Sequence, residues 1–168
     1  MLTAKLVAHL RESRFMAVVG ASGSGKSSIV RAGLVPALRG SETLADGSAP
    51  PKGSQRWPIH IIMPGGHPLE SLAVSLSREE ESVTAAAKLI DDLMQEARSL
   101  HLYARRQVQK SKTGRLLLVV DQFEELFTLC RDEREREAFI ANLVHAAWVE
   151  AGGPTVVVMA LRAGCGGR

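Results

Sequence analysis

Cysteine is scarce in this chain. Cys130 and Cys165 are its only two, and their separation fits neither a zinc site nor a disulfide framework. A reducing cytoplasm suits such a pair, so the expected localisation is cytoplasmic. No apolar run approaches the roughly 18 residues that a membrane helix needs. The opening stretch from Met1 to Ser13 is interrupted by charge too often for the apolar core of a secretory signal. Neither sign of charge prevails: 21 basic and 18 acidic residues leave a net +3 among 168. That is too mild for a nucleic-acid footprint, so neither a specific nucleic acid nor a membrane is an expected partner. No internal repeat is present.

What remains is an ordinary globular composition, 45% apolar and 23% charged. That is enough apolar residue for one core and too little charge for a disordered chain. The pattern alternates helix and strand. Leu2, Leu6, Val7 and Leu10 recur at helical spacing. Phe15 to Val19 is a short apolar run that reads as a buried strand, and Ser27 to Leu38 as the helix after it. Residues 39–56 are rich in Gly, Ser, Pro and Asp and read as a loop or flexible insertion. Pro58 to Met63 is a second strand, and His67 to Ser77 a short helix. Glu79 to Gln109 reads as a longer helical region, its stripe of Leu89, Ile90, Leu93, Met94, Ala97 and Leu100 suited to a core. Leu116 to Val120 and Val156 to Leu161 are the third and fourth strands. Phe123 to Glu150 between them holds one or two helices, and its charged stretch from Arg131 to Glu137 reads as a solvated face. Strands alternating with helices predict an α/β fold, a parallel sheet with helices on both sides, in a single domain over 1–168.

Between the first strand and its helix lies Gly20-Ala21-Ser22-Gly23-Ser24-Gly25-Lys26-Ser27, which matches the P-loop pattern at every required position. Glycines let the backbone turn with its N–H groups inward, forming a nest for anionic oxygens. The helix beginning at Ser27 adds its positive end. In this reading Gly20 to Ser28 cradle the phosphates of a nucleotide. Lys26 reaches the β- and γ-phosphates, and the Ser27 hydroxyl ligates Mg²⁺.

A nucleotide site also needs an acid at the tip of another strand, and Asp121 follows the apolar run Leu116 to Val120. It suits the Mg²⁺ shell, acting through a metal-bound water; the competing use is to cap the following helix. Glu124 and Glu125 lie within a turn of Asp121, where a water-activating base belongs, Glu124 the better placed. Both also suit a helix N-terminus. Gln122 could position water but cannot take its proton. The guanine-reading string Asn-Lys-x-Asp does not occur, which favours ATP as the nucleotide.

Gly20 to Leu34, Pro64-Gly65-Gly66-His67-Pro68-Leu69 and Asp121-Gln122-Phe123-Glu124-Glu125-Leu126-Phe127-Thr128 together resemble the novel STAND NTPases. The resemblance runs from Phe15 to Arg162. It implies a three-layer P-loop NTPase core of ASCE type with strand order 5-1-4-3-2. It also implies a nucleotide-dependent switch, fused in relatives to repeat, sensor or effector modules. Arg162 then becomes a sensor of the γ-phosphate; a surface arginine at a strand end is the plainer alternative.

Where that family continues Leu-Arg-Ala-Asp-Phe, this chain runs Leu161-Arg162-Ala163-Gly164-Cys165. A C-terminally incomplete domain lacking the fifth strand is therefore expected, with weak or no hydrolysis. Its first strand would keep an open edge, favouring self-association. Two other classes stay open. A P-loop phosphotransferase would need an arginine-rich lid, and the nearest basic cluster, Arg105, Arg106 and Lys110, suits a solvated helix face. A catalytically idle interaction module is the third class.

Overall fold

The computed structural model describes residues 2–40, 43–80, 82–148 and 153–164. Cys165 and the glycine tail lie outside them. Strands β1 (Phe15–Gly20), β2 (Ile59–Ile62), β3 (Leu116–Val120) and β4 (Thr155–Arg162) form one sheet. Among the described residues its order is β1-β4-β3-β2, with every pairing parallel. These four strands keep the relative order expected of them, and no fifth lies beside β1 there.

The two central strands explain the layers. Side chains alternate across a strand, and both faces of β3 are covered, so all five of its residues are buried. Leu116, Leu118 and Val120 point to one side, with Phe139, Leu69, Leu72 and Leu93. Leu117 and Val119 point to the other, with Val7, Leu10, Leu34, Leu38 and Trp57. The first side is built by helices α4 (Pro68–Leu76), α5 (Val83–Gln95), α6 (Ser99–Ser111), the short α7 (Glu125–Thr128) and α8 (Glu133–Trp148). The second is built by α1 (Leu2–Glu12) and the helical run after β1. That run passes without a break through α2 (Lys26–Ser28), a π-helical segment (Ile29–Leu34) and α3 (Val35–Arg39). The loop beyond it returns to the core: the buried Ser54 hydroxyl donates to the Leu38 carbonyl.

Three expectations need correction. β1 is not a buried strand; only Met16 is buried and Val19 is 59% exposed, because a sheet-edge strand is covered less completely than a central one. The helical region 79–109 is two helices, since Glu96 adopts extended backbone between α5 and α6. Buried Asn142 stitches that break. Its Oδ1 accepts from Leu100 N–H, while its Nδ2 donates to the Leu93 and Ala138 carbonyls. Leu89, Leu93 and Leu100 of the stripe are buried on either side of the break, whereas Ala97 within it is exposed. Finally, Arg131 to Glu137 is not wholly a solvated face. Glu135 is 8% exposed; it accepts from Leu69 N–H at 3.1 Å and faces His67 at 3.6 Å. The carboxylate thus serves an otherwise unpaired N–H in the first turn of α4.

His60, on β2, gives the fold a pH dependence. With Nε2 protonated it donates to Gln107 Oε1, and Nδ1 accepts from the Ser75 hydroxyl, both at 3.2 Å. Desolvation by burial holds its pKa below the ordinary 6.5, outweighing the opposing hydrogen bonds. The unfolded chain therefore binds this proton first as pH falls. The neutral histidine's contribution is fully present above about 6.5 and is lost as pH drops through the lower folded value. Urea melts at stepped pH are expected to lose stability across that window, and His60→Gln is expected to flatten the slope there. An unchanged slope would remove His60 from the account.

Candidate functional site at the carboxyl ends of the strands

Parallel sheets place ligands outside the carboxyl ends of their strands. Here that end gathers Gly20 closing β1, Asp121 after β3, Arg162 closing β4, and the Pro64-Gly65-Gly66 turn after β2. The loop after Gly20 is an exposed turn. Gly23 and Gly25 adopt φ 75° and 82°, left-handed values that glycine accepts without steric cost. Ser24 N–H closes the turn on the Ala21 carbonyl. Gly25 precedes the helical run and makes no side-chain cap, so the first N–H groups of that run face outward at its positive end. The Lys26 ammonium lies across the loop, donating to the Ala21 carbonyl at 2.7 Å.

Ser27 and Asp121 meet although 94 residues separate them: the hydroxyl donates to Oδ1 at 2.7 Å. Asp121 is 3% exposed, and both of its carboxylate oxygens accept hydrogen bonds. Gln122 N–H also donates to Oδ1 at 2.9 Å, and Arg31 Nε donates to Oδ2 at 3.1 Å. Gln122 takes the left-handed φ of 51° in turning the chain after β3. A hydroxyl beside a carboxylate is a hard-oxygen pair of the kind Mg²⁺ prefers. The ion keeps several waters and takes phosphate oxygens, so it needs no dedicated protein cage. The donors present therefore fit Mg²⁺. Among the described residues there is no group of three or more His, Cys, Asp or Glu that could hold a metal.

The two glutamates part company. Glu124 Oε2 accepts from Arg162 N–H at 3.1 Å, and Arg162 stands in register with Gly20. Glu124 is therefore on the side of the loop. Glu125 Oε2 accepts instead from Gly65 N–H at 3.1 Å, next to β2. The Arg162 side chain is exposed at the end of β4, and Ser28 is exposed on α2. Arg31 was not singled out from the sequence. The available signal was its spacing: four residues after Ser27, it shares that residue's helix face.

Arg105 and Arg106 lie elsewhere. They line a cleft of about 600 Å³ between α5 and α6, with Asp92, Glu96 and Tyr103. None of its lining residues comes from the loop after β1 or from the ends of β3 and β4.

A parallel α/β sheet with a glycine-turned loop, helix and acid at its carboxyl end is compatible with the P-loop nucleoside triphosphatase class. The sequence model of Novel STAND NTPase 1 matches residues 1–168, and the chain belongs to this family. Nucleotide use is thereby established at the level of the family. No curated protein matches the chain. No helix among the described residues is long and apolar enough to cross a membrane.

Proposed function

We propose that the chain binds Mg·ATP in the loop Gly20 to Ser28 and serves as a nucleotide-dependent signalling switch. The observation that carries this reading is the Ser27–Asp121 contact beneath a glycine-turned loop. Backbone N–H groups and Lys26 hold the phosphates; Ser27 and Asp121 hold the metal, which would neutralise phosphate charge when bound. In this reading Arg162, exposed and in register with Gly20, senses the γ-phosphate and passes the nucleotide state to fused sensor or effector modules. A fluorescent ATP analogue tests the reading. Micromolar binding that requires Mg²⁺, with displacement by ATP ahead of GTP, is expected. Binding indifferent to Mg²⁺, or none, would contradict it.

Hydrolysis in this reading uses Glu124 as the base that takes a proton from the attacking water. Its place beside Arg162 and Gly20 favours it over Glu125, which the Gly65 N–H holds toward β2. Glu124→Gln is expected to reduce phosphate release about 10²-fold or more, the usual worth of a positioned base, with Glu125→Gln closer to the unmodified chain. Single-turnover assays at matched nucleotide occupancy decide it. Equal losses would dissolve the distinction.

A further inference from the structure

Arg31 sits against the one carboxylate of the proposed metal site, and that reading gives it no task. Its Nε donates to Asp121 Oδ2 at 3.1 Å, while Ser27 and Gln122 occupy Oδ1. The carboxylate is nearly buried, whereas the Arg31 side chain is 45% exposed. Arg31 is thus held at the site from the solvent side, within a π-helical segment continuous with the loop. Among the described residues, Lys26 bonds the loop and Arg31 the Asp121 carboxylate, while Arg162 and Glu124 stand at the strand end in register with Gly20. Three cations and two anions leave a positive balance, which disfavours a free divalent ion and attracts a polyanion.

We propose that Arg31 is a tethered counter-charge for Asp121 that makes the metal site conditional on nucleotide. The inference rests on the metal role proposed above for Ser27 and Asp121. The guanidinium satisfies Oδ2 and turns Oδ1 toward Ser27, so it positions the carboxylate. Its positive charge also offsets the attraction that Asp121 alone would exert on a free cation. Triphosphate supplies the missing negative charge, and metal and nucleotide then enter together. Arginine suits the task because it stays charged at any working pH and holds an oxygen through a fixed planar donor set. Without this residue the buried acid would be a weak site for free cations, occupied or vacant regardless of nucleotide.

Mn²⁺ is the probe, its free concentration read by electron paramagnetic resonance on the full chain with and without a non-hydrolysable ATP analogue. Arg31→Gln is expected to retain Mn²⁺ alone about fivefold or more tightly than the unmodified chain, the size of one screened charge at close range. Arg31→Lys is expected to restore weak retention. The advantage that nucleotide confers on Mn²⁺ binding shrinks accordingly in Arg31→Gln. A damaged fold that bared other carboxylates would bind Mn²⁺ whether or not Asp121 is present. Adding Asp121→Asn to Arg31→Gln should erase the gain, and persistence of the gain would overturn the proposal. Unchanged or weaker retention by Arg31→Gln, including none by either protein, would also overturn it. Failure of the unmodified chain to bind Mn²⁺ with the analogue would instead strike the nucleotide reading itself.

Discussion

Lys26→Ala is expected to weaken Mg·ATP binding by about 100-fold or more while leaving the fold in place. A charge-assisted hydrogen bond to phosphate contributes roughly 1.5–3 kcal/mol, and Lys26 supplies more than one such contact in the proposed site. Against that, among the described residues its ammonium bonds only to the Ala21 carbonyl of its own loop. Removing an exposed bond of that kind shifts stability by about 1 kcal/mol or less. Titration of the fluorescent analogue gives the affinity, and a urea melt gives the stability. Equal affinity in the two proteins would remove the loop from the account. A collapse of the melt would show that Lys26 holds the fold rather than a ligand.

Phe139→Ala is the substitution expected to cost the fold most. Phe139 is fully buried on α8, in the cluster that includes Leu116, Leu118 and Val120 of the central strand. Truncation there loses the transfer free energy of the ring and leaves a cavity, together about 3–5 kcal/mol. A domain of this size has roughly 5–15 kcal/mol in total. The urea midpoint should therefore fall by roughly a fifth or more, and Phe139→Leu should recover much of the loss. A loss below about 1 kcal/mol would mean that the helices on this side pack more loosely than described.

Several of these features could be read without coordinates, for identifiable reasons. β3 was bounded correctly because a strand covered on both faces must be apolar at every position, and Leu116 to Val120 is. The loop was legible because tight turning demands glycine, and Gly23 and Gly25 hold the left-handed angles. β1 carries an equally apolar string, yet Val19 is 59% exposed; its place in the sheet decides that, and place is a tertiary property. The break at Glu96 and the burial of Glu135 depend on partners 42 and 66 residues away, Asn142 for Leu100 and Leu69 for Glu135. Nothing local announces either. Within the site, Ser27 and Asp121 were paired by motif, whereas the division between Glu124 and Glu125 required Arg162 and Gly65 to be in position.

The central claim is that the loop after β1 and the acid after β3 form one Mg·ATP site. Backbone amide shifts of the isotopically labelled chain, followed as Mg·ATP is added, test it residue by residue. The largest saturable changes are predicted at Gly23 to Ser28 and at Asp121 and Gln122, with Arg162 following. Changes confined to the α5–α6 cleft around Tyr103 and Arg106, or none at saturating nucleotide, would contradict it.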